Sequence, residues 1–244
     1  ACDTLHQTNF DPGGFSEYLR IPQINVDRGV FPIPDHVPYE EASITEPLAC
    51  VYRGQKRANL QPGQNVLVLG SGLAGLLHIN LARALGAGRI IATDMVDYRL
   101  QAARRLGADT AFPATEDVPA RLREANDGRL ADLVIVCTGA LPALNQALQS
   151  VERGGTVLFF APTEPGVSLP VSINDVFFRN DVTLTTTYAG APADLATALE
   201  MIGSGRVQVG QMISHRLGLA EAGLGFKLTA EAGDSLKVII QPQK

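Results

Sequence analysis

One local pattern limits this chain more than any other. Asn65-Val-Leu-Val-Leu-Gly-Ser-Gly-Leu-Ala-Gly-Leu carries an apolar strand straight into three glycines, Gly70, Gly72 and Gly75, and then into a helix. Asp94 ends the next apolar strand, nineteen residues after Gly75. Each part has a physical role in holding a dinucleotide. Gly70 permits the tight turn out of the strand. Gly72 has no side chain to keep a pyrophosphate off the backbone. Gly75 lets the helix lie close on the sheet. The helix begins near Leu73 and Ala74, and its free N–H groups and positive dipole end point at the phosphates. Asp94 can accept hydrogen bonds from a ribose diol, and its charge repels a 2′-phosphate, so NAD is expected rather than NADP. Glycine spacing alone is weak; strand, helix and acid in register make it informative.

The rest of the chain supplies the sheet that such a turn requires. Strands are predicted at Val66–Leu69, Ile90–Thr93, around Thr110–Phe112, and at Leu133–Cys137, Val157–Ala161 and Val182–Thr187. Helices are predicted between them at Leu73–Leu85, Tyr98–Leu106, near Pro119–Asn126 and at Leu144–Val151, with Gly154-Gly155 as a turn. The strands are continuous Val, Ile and Leu runs, which implies helices on both faces. The expected class is α/β, a doubly wound parallel six-stranded Rossmann sheet in the order 3-2-1-4-5-6. Before it, residues 15–21 alternate like a strand with one buried face, and four prolines from Pro22 to Pro38 predict an irregular stretch. From Tyr39 to Asn59 the chain suits a helix, with Pro47 acceptable in a first turn. After the sheet come helices at Ala193–Ile202 and Ala220–Leu228 and a strand at Leu236–Ile240.

Charge and cysteines exclude several functions. A net charge of −5 with no basic stripe argues against nucleic acid. No apolar run approaches the ~20 residues of a membrane span. Cys2, Cys50 and Cys137 are odd in number and far apart, which suggests reduced thiols in the cytoplasm. The chain opens without Met on a Gly- and Pro-rich segment, like the middle of a protein. His6, His36, His78 and His215 show no metal-ligand spacing, and His78 reads as a packing or surface residue. Glu40, Glu41 and Asp97 read as solvated carboxylates.

Several motifs in order carry a resemblance: Gly14-Gly-Phe-Ser-Glu-Tyr-Leu-Arg-Ile-Pro, Ile44-Thr-Glu-Pro-Leu-Ala-Cys, Leu67-Val-Leu-Gly-Ser-Gly-Leu-Ala-Gly, Ala92-Thr-Asp, Leu106-Gly-Ala-Asp, Cys137-Thr-Gly and Ser235-Leu-Lys-Val. Together they resemble the medium-chain zinc-dependent alcohol dehydrogenases, most closely the sorbitol (polyol) dehydrogenase branch. The resemblance implies a remnant of a GroES-like β-rich catalytic domain at 1–44, an NAD-binding domain at 45–204, and a return to the catalytic domain at 205–244. It implies that Glu46 faces a catalytic zinc; the plain alternative is a helix N-terminal Glu favoured by the dipole. Cys2 reads equally as a last structural-zinc ligand or as a free thiol. Backbone near Cys137, Thr138, Phe160, Ala161, Thr186 and Thr187 is implied to contact nicotinamide or its ribose. Arg99 reads equally as a cover for the adenine face or as an exposed helix residue.

The activity implied is hydride transfer between a polyol or secondary alcohol and NAD, with zinc in the intact parent protein and most zinc ligands lying outside this chain. A homodimer, or a tetramer of such dimers, is implied through the outer strand. The competing readings are a zinc-free quinone or enone reductase of the same superfamily and a non-catalytic dinucleotide-binding module. A methyltransferase also places an acid after its second strand, but its glycine motif differs.

Overall fold

In a computed structural model, residues 13–244 are described; Cys2 and His6 lie outside them. Ahead of the sheet, α1 (Gln23–Gly29), α2 (Tyr39–Ala42) and α3 (Thr45–Arg57) follow one another. The sheet is then built by β1 (Val66–Leu69), α4 (Leu73–Ala84), β2 (Ile90–Asp94), α5 (Asp97–Arg105), β3 (Thr110–Pro113), α6 (Val118–Ala125), β4 (Ala131–Val136), α7 (Leu141–Ser150), β5 (Val151–Phe159) and β6 (Thr183–Thr186). Its order is β3-β2-β1-β4-β5-β6, and every pairing is parallel. The expected α/β architecture is therefore the observed one. The chain closes with α8 (Pro192–Gly203), β7 (Ile213–Gly218), α9 (Ala222–Glu231) and β8 (Lys237–Gln241).

The apolar strands are explained by two cores. Val66 and Val68 of β1 pack with α3, α4, α5 and α8 on one face. Leu67 and Leu69 pack with α6 and α7 on the other. A strand buried on both faces cannot alternate with polar residues, so β1 reads as an unbroken apolar run. Local chemistry sets the helix ends. The Asp117 carboxylate accepts from the Ala120 N–H at 3.1 Å to cap α6. Pro47 sits in the first turn of α3, as its missing N–H allows.

Three expectations fail at the margins of the sheet. Residues 15–21 form no strand with a buried face. They bend, Arg20 makes an isolated bridge, and Phe15, Tyr18, Leu19 and Ile21 are exposed. Alternation needs a neighbouring strand to become a ladder, and Phe15 instead meets Phe226 of α9 edge-on. The proline-rich stretch includes α1, whose preceding Pro22 has the extended geometry of a helix entry. Gly154-Gly155 do not end a turn before β5. The strand runs through them with a register shift opposite Ala131/Leu133, where the glycines absorb an irregularity. Strand β7 pairs in parallel with β8, with an irregularity between Ile213 and His215.

Candidate functional site

The site forms at the carboxyl ends of β1, β2, β4, β5 and β6, where the strand order reverses between β1 and β4. Gly70 leaves β1 with φ 93°, a left-handed conformation that suits glycine, and its N–H donates to the Thr93 carbonyl at 3.0 Å. Gly72 ends the turn as the N-cap of α4, with no side chain capping the first turn of Leu73, Ala74 and Gly75. Among the described residues those N–H groups have no capping side chain, which is the arrangement that suits an anion. At Gly75 a side chain would run into the Gly70 carbonyl oxygen, so the helix can approach the turn only with hydrogen at this position.

Asp94 is buried at the end of β2, where both of its oxygens are engaged. Its Oδ2 accepts from the Ser71 N–H at 2.7 Å and its Oδ1 from the Val96 N–H at 3.0 Å. The carboxylate therefore ties the glycine turn to the β2–α5 connection. An ionised carboxylate has about four lone-pair sites, so acceptor capacity remains for hydroxyls. That tie was not visible in the sequence, because it depends on the turn folding back over β2.

Arg99 is half-buried, with Nη1 3.9 Å from the place where a Cβ on Gly72 would stand. Its Nε is buried without a partner among the described residues. Its guanidinium thus lies against the glycine turn rather than free on the helix surface. A cleft of about 580 Å³ joins Gly70, Gly72, Asp94, Arg99, Cys137 and Thr138. A second cleft of about 450 Å³ lies beyond β5 and is walled by Phe160, Ala161, Thr186, Thr187 and Tyr188. Helix α7 lines both, through Ala143 in the first and Leu144 in the second. The candidate residues therefore sort into two clefts, with Cys137 and Thr138 beside Asp94 rather than grouped with Phe160, Ala161, Thr186 and Thr187 as the resemblance implied. Burial pushes the Cys137 thiol up well beyond its ordinary range, so it stays protonated and is a poor nucleophile.

Glu46 stands apart from both clefts, exposed on the first turn of α3, where the helix dipole favours an acid. Its Oε1 accepts from the Cys50 thiol at 3.2 Å. Burial, and then this carboxylate, push the Cys50 thiol up to about 12, so it is no ready thiolate ligand. His36 contacts the Gly203 carbonyl and His215 the Ser214 hydroxyl. Among the described residues no three His, Cys, Asp or Glu side chains gather as a metal would need. A zinc ion requires three or four protein ligands, so these residues alone do not fit one.

Glu40 corrects another expectation. It is not simply solvated: Arg216 of β7 holds it through two hydrogen bonds of 2.7 and 2.8 Å. The guanidinium keeps the Glu40 carboxyl below the usual range. Partners so far apart in sequence leave no local spacing to read. The same holds for Arg53 of α3 and the buried Asp194 of α8, paired at 3.1 Å.

Comparison with known proteins agrees with this geometry. Residues 74–204 match the family model described as zinc-binding dehydrogenase. Sorbitol dehydrogenase of Bacillus subtilis is 30% identical over 95% of this chain and 64% of its own length. The structure of alcohol dehydrogenase TADH from Thermus sp. ATN1 superposes with a TM-score of 0.84 at 30% identity, covering 94% of this chain and 67% of that one. A Sinorhizobium meliloti protein solved with NADP bound superposes with a TM-score of 0.84 at 26% identity, over 94% of this chain and 66% of its own. The chain thus spans under two thirds of the length of the curated relatives it matches. With more than half of its residues under the family model and a shared fold throughout, the chain belongs to the zinc-binding dehydrogenases, the medium-chain alcohol dehydrogenase family.

Proposed function

We propose that this chain is the coenzyme-binding part of an NAD-dependent dehydrogenase acting on a polyol or secondary alcohol. The observation that carries the reading is the pair of adjoining clefts, one beneath the glycine turn and Asp94, the other walled by Phe160, Ala161, Thr186 and Thr187. The glycine turn at Gly70–Gly75 and the Nε of Arg99, which has no partner among the described residues, fit a dinucleotide. Bound NAD supplies the hydride acceptor. The first turn of α4 binds the pyrophosphate, Asp94 takes the ribose hydroxyls, and Arg99 flanks the adenosine half. The strand ends beyond β5 and β6 would hold the nicotinamide half of the bound coenzyme in the second cleft.

Residues 45–204 form the coenzyme domain in this reading, and 1–44 with 205–244 belong to the catalytic domain. Relatives named sorbitol dehydrogenase support the substrate class. Glu46 is the candidate carboxylate toward a metal, whose other ligands would come from outside the described residues. The free thiols of Cys50 and Cys137 support a reducing, cytoplasmic setting. No described helix is long and apolar enough to cross a membrane.

Calorimetric titration of the 244-residue chain with NADH should show one site per chain, while metal analysis finds no stoichiometric zinc and no alcohol is oxidised. Absence of NADH binding would remove the coenzyme reading, and one tightly held zinc with steady turnover would show that the active centre has been misplaced.

The assembly we propose is a homodimer, or a tetramer of such dimers, formed through β6. This edge strand bears Thr183 to Thr186 with no charge to discourage pairing, and exposed Ile173, Phe178 and Tyr188 flank it. Light scattering at roughly tens of micromolar, where a micromolar dimer is populated, should report at least a dimer. A monomer throughout that range counts against the strand as an interface.

A further inference from the structure

His78 is a fully buried histidine in the helix that follows the glycine turn, and the proposed mechanism makes no use of it. Its Nδ1 accepts from the Gln55 side-chain amide at 3.1 Å, and the same amide donates to the His78 carbonyl at 2.8 Å. Two bonds from one amide hold the ring in a single orientation. With Nδ1 as acceptor the proton sits on Nε2, which has no hydrogen-bond partner among the described residues. Burial pulls the pKa of the imidazole down to about 3, so it is neutral over the physiological range. A neutral, locked ring is suited to packing against another ring.

That other ring is Phe160. The centroids are 4.5 Å apart and the planes stand at 87°, the edge arrangement that aromatic quadrupoles favour. On its other side Phe160 meets α3 at Gly54. A Cβ on Gly54 would lie 3.4 Å from Phe160 Cδ2 and 3.3 Å from Thr187 Cγ2. The Phe160 side chain is therefore wedged between α3 and α4, while its main chain is where β5 leaves the sheet. The Phe160 and Ala161 N–H groups both donate to the Val136 carbonyl, at 3.0 and 3.1 Å. From there Phe160–Thr163 wall the second cleft. Side-chain packing behind the wall thus sets where the wall stands.

We propose that His78, locked by Gln55, is a positioning residue: it fixes the ring of Phe160 and so places the wall of the second cleft for a nicotinamide ring. The inference rests on the dinucleotide reading above and adds a residue remote from the ligand to it. It also separates the two halves of the ligand. Phe160 borders the second cleft and not the one beneath Asp94. Loosening it changes what the nicotinamide meets and leaves the adenosine half as it was.

The test compares NADH with ADP-ribose, which lacks the nicotinamide, on the full 244-residue chain. His78→Leu should weaken NADH roughly threefold to tenfold, the scale of one aromatic pair, and shift the fluorescence of the bound reduced nicotinamide. ADP-ribose affinity should not change. His78→Phe keeps a ring edge toward Phe160 and should recover most of the loss. If His78→Leu does not fold, Gln55→Leu releases the lock with the ring still present, and the same selective loss is expected. Equal weakening of both ligands, no weakening of NADH, or a His78→Phe variant that behaves like leucine overturns the proposal. If the unmodified chain binds neither ligand, the dinucleotide reading falls and takes the proposal with it. If it binds both, that reading stands whatever the variants do.

Discussion

Gly75→Ala is expected to abolish useful dinucleotide binding, with a loss of about a hundredfold or more, equal to about 2.8 kcal/mol. In an ordinary exposed helix the same change stabilises by about 1 kcal/mol, because alanine is the better helix former. Here the added methyl would run into the Gly70 carbonyl oxygen. That obstacle is backbone, and it cannot swing aside as a side-chain tip would. Helix α4 must slide away from the turn, and the free N–H groups of Leu73, Ala74 and Gly75 lose their common aim. Overpacking of this kind typically costs about 1–3 kcal/mol of stability, so the melting temperature should fall as well. Gly72→Ala is the matched control. A Cβ there has Arg99 Nη1 as its nearest neighbour, at 3.9 Å, so the fold should be untouched. Its methyl instead stands in the cleft mouth and should weaken NADH without moving the melting temperature. Calorimetry and thermal unfolding of both variants check this. A Gly75→Ala protein that binds NADH like the parent would mean that the turn is not the phosphate cradle.

Asp94→Ser should reverse much of the discrimination between coenzymes. In the unmodified chain NADH should bind about a hundredfold ahead of NADPH, about 2.8 kcal/mol, because a 2′-phosphate would be pressed against a buried carboxylate. Serine removes that repulsion, and Arg99 is close by to meet the added negative charge. NADH itself should weaken too, since the Ser71 and Val96 N–H groups lose their acceptor. The ratio of the two affinities, rather than either alone, is therefore the measurement. Equal or tighter binding of NADPH by the unmodified chain would take Asp94 out of the discriminating role.

Much of this architecture is legible in order along the chain. Six strand-forming runs, the first four each followed by a helix-compatible stretch, leave the doubly wound parallel sheet as the natural way to cover both faces of its central strands. The glycines are legible because each answers a backbone demand that other residues meet poorly. The edges were harder. Residues 15–21 have a strand's alternation, yet alternation describes which face would be buried, not whether a partner strand is present. Gly154-Gly155 have a turn's composition, yet a bulge in a long strand uses the same residues.

What the sequence by itself determined is the scaffold and its glycine turn, since both follow from local rules: side-chain period, helix ends and the φ values that glycine permits. Only the tertiary structure decided how the candidate residues divide between two clefts, that Asp94 binds the turn it faces, and that Arg99 lies over Gly72. It also decided the partners that chain distance hides: Arg216 for Glu40, Arg53 for Asp194, and Gln55 with Phe160 for His78. The reason is physical. Backbone preferences act over a few residues and leave a repeating trace, whereas a hydrogen bond or ring contact between distant segments requires only that the fold bring two side chains together.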